Sequence, residues 1–227
     1  MPEPVSPSVG WGVLHLFCRL TPSVDTEAVT AAVKACQADD HQVVSFAVLG
    51  HKADLGFLAL GPDLWRLRRF QGDLRAAGVE LADSYVSLTE VSEYAAGMPA
   101  EMLTPRLHPQ LPPEGKRAVC FYPMSKRRLP DANWYRLDFE ERKRLMLEHG
   151  TTGRTFRGKV LQLITGSTGI DDWEWFVTLF AADPVDLKAC VYTMRYDEAS
   201  ARYVDFGWFV TGLVDDVEHI LAELTRS

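Results

Sequence analysis

The order of secondary-structure signals repeats once along the chain, and this repeat limits the possible folds more than any other feature of the sequence. In the first half, apolar runs predict strands at residues 12–20, 43–49, 55–60 and 84–91. Apolar residues at helical spacing predict one helix that begins at Ser23 or Asp25 and a second that runs from Pro62 to Gly78. The resulting order, βαββαβ, is typical of a ferredoxin-like unit.

The same order returns in the second half. Strands are predicted at residues 118–124, 160–165, 173–180 and 203–210, and helices at 138–149 and 183–194. Asp138 and Glu141 are spaced as a capping box, and Gly150 is expected to end that helix directly after His149. The predicted fold class is therefore α+β, with duplicated ferredoxin-like units that form a dimeric α+β barrel within one chain.

The segment between the two units contains five prolines, at positions 99, 105, 109, 112 and 113. Because proline lacks an amide hydrogen and clashes inside helices, this segment is interpreted as a linker. The predicted organisation is an N-terminal ferredoxin-like unit at residues 1–96, a proline-rich linker at 97–115 and a C-terminal ferredoxin-like unit at 116–227.

Charge and composition narrow the class of protein. The net charge of −7 argues against nucleic-acid binding, and no apolar run is long enough to cross a bilayer. The N-terminus lacks the features of a signal peptide, so we expect a cytoplasmic protein without membrane contact. The four cysteines are too scattered for a zinc site or a disulfide framework. Residues 115–159, however, carry 12 Lys/Arg and 5 Asp/Glu, which indicates either a local anionic ligand or a solvated helix face.

One predicted strand brings several reactive side chains to the same face. Alternation places Cys120, Tyr122, Met124 and Lys126 together, and Pro123 indicates that the strand ends there or lies at a sheet edge. A phenol, a thioether and an ammonium on one open face can receive a ligand. The other interpretation is a core tyrosine and a surface lysine.

Two further polar residues lie on predicted apolar faces. His149 follows Leu145 and Met146 at helical spacing, where a histidine either ligates a metal or complements the helix C-terminus. No second ligand is spaced to complete a zinc or non-haem iron site, so an iron ligand here would favour haem. Gln162, on an apolar strand face, either donates to a species bound on such an iron or bonds a neighbouring strand.

Several longer motifs resemble one family. They are Tyr122-Pro-Met-Ser-Lys-Arg-Arg128, Asn133-Trp-Tyr135, His149-Gly-x-x-Gly-Arg154, Thr165-Gly-Ser167, Asp171-Asp-Trp-Glu-Trp175 and Met194-Arg-Tyr-Asp-Glu-Ala-Ser-Ala-Arg-Tyr203. In this order they resemble the coproheme decarboxylases, in the chlorite dismutase superfamily. The linker and the acidic N-terminal half resemble the actinobacterial type, and the resemblance extends from Gly10 to Gly212.

This resemblance implies an assembly and a reaction. The family fold is a duplicated ferredoxin-like barrel that forms a homopentamer and binds haem in the C-terminal unit. Its members use hydrogen peroxide and a tyrosyl radical to convert two propionates of iron-coproporphyrin (coproheme) to vinyl groups. Coproheme is both substrate and redox cofactor, and haem b is the product that ends the coproporphyrin-dependent haem pathway. A transient contact with the coproporphyrin ferrochelatase is also implied.

The same resemblance implies roles for individual residues. His149 corresponds to the proximal iron ligand, Tyr122 to the tyrosine that forms the radical, and Lys126 to the lysine that holds the reacting propionate. Further contacts with the porphyrin or its propionates are implied for Met124, Arg154, Trp173 and Ser200.

The residue that faces peroxide stays open between two candidates. Gln162 falls where one branch of the family has a distal glutamine, whereas the actinobacterial type implies a distal histidine, for which His108 is the candidate. Arg106 and Tyr85 are further candidate propionate contacts. Two other functions compete with decarboxylation: a chlorite dismutase, which relies on a distal arginine, and a non-catalytic haem carrier or sensor.

Overall fold

The structure, a computed structural model, describes residues 2–95, 97 and 99–226. Its first unit has the predicted βαββαβ order, and Asp25 and Asp63 cap the two helices by accepting hydrogen bonds from the amides of Ala28 and Trp65. Asp25, not Ser23, is therefore the first N-cap. The elements are β1 Gly12–Leu20, α1 Thr26–Ala38, β2 Gln42–Leu49, β3 Leu55–Gly61, α2 Leu64–Ala76 and β4 Val79–Thr89.

The segment predicted as an irregular linker contains a helix, α3 Ala100–Leu107. Pro105 lies inside it, because a helix of two turns tolerates the loss of the one hydrogen bond that proline cannot donate. The Thr89 hydroxyl in β4 donates to the carbonyl of Leu107 at 2.8 Å, which ties α3 to the first unit. The expectation that these prolines exclude a helix was wrong. The division at residues 96 and 115 stays a prediction, and Ala96 itself lies outside the described residues.

The second half differs from the prediction at its C-terminal end. The strand predicted at 203–210 is confirmed only in part, because residues 204–206 form a short strand whereas Tyr203 belongs to a helix that Asp197 caps. The strand that closes the unit begins at Val210. The elements are β5 Ala118–Lys126, β6 Arg128–Leu129, β7 Ala132–Asn133, α4 Phe139–Arg154, β8 Val160–Gly166, β9 Trp175–Ala181, α5 Pro184–Met194, α6 Glu198–Tyr203, β10 Val204–Phe206, β11 Val210–Val214 and α7 Val217–Leu224.

Helix α4 begins and ends differently from the prediction. Asp138 accepts from the amide of Glu141, but the Glu141 carboxylate pairs with Arg144, so only half of the capping box forms. Gly150 keeps helical geometry and the helix continues to Arg154. A glycine inside a helix costs about 1 kcal/mol relative to alanine, which tertiary packing can outweigh. The histidine before it is therefore not at a helix C-terminus.

Within the described residues, eight strands close into one barrel in the order β5-β11-β2-β3-β1-β4-β8-β9, and β9 pairs again with β5. Strand β10 extends the sheet beside the end of β5. The two units are hydrogen-bonded to each other twice, through β2 with β11 and through β4 with β8. The duplicated sequence thus forms a single closed sheet, which confirms the predicted fold class.

Side-chain alternation divides each strand between the barrel interior and an outer face. Helices α1, α2 and α7 cover the outer face of the first unit, and α5 covers the outer face of the second. In the part of the chain that the structure describes, no helix combines the length and hydrophobicity needed to cross a bilayer. The largest side chains of the interior, each at most 2% exposed, are Phe17, Phe46, Phe121, Phe176 and Phe180.

Leu58 and Leu213 test whether the barrel interior stabilises the fold. Leu58 on β3 is fully buried in the interior, whereas Leu213 on β11 is 51% exposed. We expect Leu58→Ala to lower the free energy of unfolding by about 2–5 kcal/mol, because it leaves a cavity between packed strands. Leu213→Ala should change it by less than about 0.5 kcal/mol. Urea unfolding followed by circular dichroism measures both, and equal losses would contradict this division of the core.

Candidate functional site

Strand β5 carries barrel core on one face and the candidate site on the other. Phe121 points into the barrel, whereas Cys120, Tyr122 and Met124 lie in the outer layer beneath α5, which confirms the predicted alternation. The expected sheet edge was wrong, because β9 pairs with one side of β5 and β11 and β10 share the other side. Pro123 falls between the β11 and β10 pairings, where its missing amide hydrogen costs no ladder bond.

Tyr122 is enclosed by aromatic rings and a cation. Its ring stacks on Phe209 at a centroid distance of 4.5 Å and lies 5.8 Å from the ring of Phe206. The guanidinium of Arg195, just after α5, lies 4.3 Å from the Phe206 ring. Burial raises the pKa of Tyr122 far above its usual range. Tyr122 is therefore a neutral phenol at physiological pH, the form that can lose an electron and a proton together.

Lys126, at the end of β5, places its ammonium 4.0 Å from the centroid of the Trp134 ring and is 8% exposed. Burial lowers the pKa of Lys126 to about 8, although the nearby carboxylates of Asp197 and Glu174 oppose this shift. Among the described residues, no acceptor lies within hydrogen-bonding distance of this ammonium. A buried cation whose donors are unused is a suitable partner for a ligand carboxylate.

Glu174 fixes the end of β5 that carries this lysine. Its buried carboxylate accepts a hydrogen bond of 2.7 Å from the Lys126 amide, and its own amide donates to the Ser125 hydroxyl at 3.2 Å. Burial and the nearby Glu174 carboxylate raise the pKa of Tyr135 above its usual value. The motif around Trp134 and the motif around Glu174 therefore meet at Lys126, one supplying the ring beneath the ammonium and the other the backbone anchor.

Asp197 orients the ring of His149. The histidine Nδ1 lies 3.1 and 3.2 Å from the two carboxylate oxygens, and Ser200 donates its amide and its hydroxyl to the same group at 3.0 and 3.2 Å. Burial opposes ionisation of Asp197, but these hydrogen bonds lower its pKa below the usual value. The charged carboxylate keeps a proton on Nδ1, which leaves the Nε2 lone pair for a ligand. This arrangement is typical of a metal-ligating histidine.

Gln162 belongs to the same outer layer. Across the sheet, Leu179 of β9 stands opposite both Cys120 of β5 and Gln162 of β8. The Gln162 amide donates to the sulfur of Cys190 on α5 at 3.7 Å and lies close to Gly153, one helical turn beyond the histidine of α4. The predicted alternative of a bond to a neighbouring strand is therefore wrong, because the partner is a helix thiol.

Three predicted site residues lie elsewhere. Tyr85 points into the barrel, where its hydroxyl donates to an aspartate on its own strand at 2.8 Å and accepts from the indole of Trp208. His108 follows α3 and packs against Trp11 at a ring distance of 5.0 Å, and Arg106 is exposed on α3. Among the contacts described in residues 2–95, 97 and 99–226, none joins these three side chains directly to Tyr122.

The remaining predicted contacts surround the site in different ways. Met124 packs in the outer layer. Trp173 packs against the cluster of the barrel interior and approaches the backbone of Gly207, where an added Cβ would lie 2.9 Å from the indole, so glycine permits this contact. Arg154 is exposed at the end of α4 and donates to the Thr151 hydroxyl at 2.7 Å. Ser200, predicted as a propionate anchor, bonds the carboxylate that orients the histidine.

Sequence reasoning did not single out four residues of this group, although each lies in a motif that carried the family resemblance. Their roles depend on contacts between elements that are distant in the chain, which periodicity does not reveal. The motifs themselves were the only available signal. These residues are Trp134, Glu174, Arg195 and Asp197.

The donor set fits an iron porphyrin that carries carboxylates. His149 offers a free imidazole nitrogen for iron, and Lys126 and Arg195 offer cations for propionates. The aromatic and apolar layer around Tyr122 offers a surface for the macrocycle. A metal bound by protein ligands alone would need more donors than this group provides.

Curated relatives match the chain along most of its length. A family model described as chlorite dismutase matches residues 24–214. Coproheme decarboxylases of Staphylococcus carnosus and Thermus thermophilus are each 40% identical to it, covering 95% and 99% of this chain and 94% and 98% of their own. A putative heme-binding protein of Natronomonas pharaonis is also 40% identical to this chain. That match covers 92% of this chain and 40% of the length of the longer relative.

Solved structures agree with this match. A heme-binding protein from Thermus thermophilus is 39% identical and superposes with a TM-score of 0.85, covering 100% of this chain and 99% of its own. A variant of chlorite dismutase from Candidatus Nitrospira defluvii has a TM-score of 0.77 at 19% identity over 97% of both chains, which shows the fold alone. With the family model matched across nearly the whole barrel, the chain belongs to the chlorite dismutase family.

Proposed function

We propose that this protein is a coproheme decarboxylase, which uses hydrogen peroxide to convert two propionates of iron-coproporphyrin to vinyl groups and gives haem b. One observation carries the proposal. The outer layer and its helices hold an oriented histidine, a buried neutral tyrosine and a buried ammonium for which no acceptor is described. The relatives that bear this name support it. The presence of Gln162, and not an arginine, at the implied distal position disfavours a chlorite dismutase.

Several side chains would contribute to binding of the substrate. His149 would hold the iron through Nε2, and Asp197 would make the imidazole a stronger donor by retaining the Nδ1 proton. Lys126 and Arg195 would bind propionates, with Arg154 as a further cation at the end of α4. Met124 and Trp173 would pack beside the macrocycle, and Ser200 would act through the Asp197 carboxylate.

The protein contributes to the reaction by positioning the propionate and by transferring hydrogen. Coproheme, when bound, supplies the oxidising power together with hydrogen peroxide. Tyr122 loses an electron and a proton, and the resulting phenoxyl takes a hydrogen atom from the propionate β-carbon. Since this transfer needs contact, Lys126 must direct the carboxylate so that the β-carbon faces the phenol. Each propionate consumes one peroxide and one proton and releases carbon dioxide and two waters.

The distal position is assigned to Gln162 in this proposal. Gln162 lies in the outer layer beside α4 and α5, whereas His108 packs against Trp11 on the first unit. The porphyrin contacts belong to the C-terminal unit at 116–227, with 1–96 as the N-terminal unit and 97–115 as the connection. A homopentamer, a cytoplasmic location and a transient contact with the coproporphyrin ferrochelatase complete the proposal and rest on the family resemblance.

Conversion of coproheme tests the reaction, and Tyr122→Phe tests its radical residue. Protein mixed with coproheme and hydrogen peroxide should yield haem b through a singly decarboxylated intermediate, detected by mass spectrometry. Tyr122→Phe should bind coproheme with a nearly unchanged spectrum and lose the conversion, because phenylalanine has no hydroxyl hydrogen to give. The matched Tyr192→Phe on α5, where the tyrosine is 61% exposed, should convert normally.

Three results would change the proposal. Intact coproheme in the wild type would exclude a decarboxylase. Stable haem binding without any product would favour a carrier or sensor. Normal conversion by Tyr122→Phe would remove this tyrosine from the mechanism.

Iron ligation is tested at His149 and at the carboxylate behind it. We expect His149→Ala to shift the Soret band of the coproheme complex, because the iron loses its protein ligand. Asp197→Asn should retain ligation but weaken coproheme affinity by about 10-fold, since an amide holds the imidazole less strongly. His219→Ala, at a side chain that is 74% exposed, is the control and should match the wild type. An unchanged Soret band in His149→Ala would indicate a different ligand.

The pH dependence of coproheme binding tests Lys126. Because the pKa of the free lysine is about 8, the ammonium is charged below that pH and loses its proton above it. The dissociation constant should therefore be flat below pH 8 and rise as the pH increases beyond it. Lys126→Met should weaken binding about 10- to 100-fold at pH 7 and abolish this rise.

Titration of coproheme by absorbance at a series of pH values measures both effects. Lys188→Met, at an exposed position on α5, is the control and should keep the wild-type profile. A rise above pH 8 that persists in Lys126→Met would assign the titration to another group.

A further inference from the structure

Two thiols flank Tyr122 in the outer layer. Cys120 precedes it by two residues on the same face of β5, so the two Cβ atoms lie about 7 Å apart. Cys190 belongs to α5, the helix that covers this face, and shares one apolar cluster with Tyr122 and Cys120. Their residues are 7% and 2% exposed. Two of the four cysteines of the chain therefore lie near Tyr122, the residue to which radical chemistry is assigned.

These thiols resist peroxide itself but not a neighbouring radical. Burial raises the pKa of Cys120 and of Cys190 to about 11, so both keep their hydrogen at physiological pH. The thiolate is the form that attacks peroxide, so direct oxidation is slow. A protonated thiol is nevertheless a good hydrogen-atom donor. The sulfur of Cys190 also accepts from Gln162 at 3.7 Å, which places it beside the proposed peroxide-facing residue.

We propose that Cys120 and Cys190 form a radical-quenching site for Tyr122, an inference that rests on the proposed function. When a phenoxyl on Tyr122 meets no propionate, a cysteine gives it one hydrogen atom. The sulfur–hydrogen bond breaks and the phenol oxygen–hydrogen bond forms. The phenoxyl is reduced by one electron, the sulfur is oxidised by one electron to a thiyl radical, and the proton moves with the electron.

The site acts on surplus oxidising equivalents. These arise when both propionates have been converted and hydrogen peroxide remains. Both thiols are buried within the outer layer that contains the phenol. Transfer of the radical from the phenol to a sulfur limits damage to the product haem and to the aromatic rings around Tyr122, such as Phe206 and Phe209.

The chain contains its own control for thiol chemistry. Cys18 and Cys36 are also fully buried, and burial raises their pKa values to about 12 and about 11. Cys18 on β1 and Cys36 on α1 belong to the core between the sheet and the helices of the first unit and do not lie beside Tyr122. If the reaction depended only on burial and protonation, all four cysteines would react alike. Quenching of the Tyr122 radical would instead oxidise only Cys120 and Cys190.

The experiment compares two double variants of the coproheme-loaded protein under excess hydrogen peroxide. Freeze-quench electron paramagnetic resonance follows the tyrosyl radical, and a nitrone spin trap with peptide mass spectrometry locates thiyl radicals. We expect trap adducts on Cys120 or Cys190 in the wild type and none in Tyr122→Phe. Cys120→Ala/Cys190→Ala should lengthen the tyrosyl lifetime several-fold and bleach haem b faster. Cys18→Ala/Cys36→Ala should behave as the wild type.

The outcomes separate this inference from the proposed function. Normal haem b yield with an unchanged tyrosyl lifetime, or with adducts spread over all four cysteines, would overturn the quenching site and leave the decarboxylase intact. Adducts that persist in Tyr122→Phe would assign the oxidation to peroxide and also overturn it. No haem b and no tyrosyl signal in the wild type would overturn the proposed function and the inference together. If the double variant does not fold, the single variants Cys190→Ala and Cys36→Ala can be compared in the same way.

Discussion

Strand β5 closes the barrel by pairing with β9 on one side and with β11 and β10 on the other, and the rest of the structure depends on this closure. Because side chains alternate along a strand, Phe121 packs in the barrel while Tyr122 faces the outer layer. A shift of one residue in the register of β5 would exchange these faces. The packing that stabilises the fold therefore also fixes the orientation of the candidate site.

Buried charge is concentrated at the end of β5 and on the helices that face it. Asp197 holds His149 and lies near Lys126, and Glu174 holds the Lys126 backbone. Such groups are costly to bury unless each has a partner. The carboxylates are bonded within the protein, whereas the ammonium has a described contact only with the Trp134 ring. Because the Lys126 ammonium has no bonded carboxylate among the described residues, the carboxylate of a ligand would complement the site. Lys126 and Tyr122 lie on the same strand, so this ligand would be held beside the phenol.

Local sequence signals predicted most of the elements but not all of their ends. Apolar alternation predicted β1 and β5, a continuous apolar run predicted β2, and aspartates before apolar periodicity predicted the starts of α1 and α2. Helix α3 was missed because Pro105 outweighed the surrounding helical residues, and the tie to Thr89 is a tertiary contact. The stop at Gly150 was wrong for the same kind of reason, since packing against distant elements outweighed a small local preference.

By itself, the sequence determined the duplicated βαββαβ order, the face shared by Cys120, Tyr122 and Met124, and the family, because these depend on local periodicity and on motifs read along the chain. Only the tertiary structure decided that Asp197 orients His149, that Trp134 lies beneath the Lys126 ammonium, and that Tyr85 and His108 lie elsewhere. Each of these depends on the approach of elements tens of residues apart, and closure of the barrel, which no local signal encodes, sets that approach.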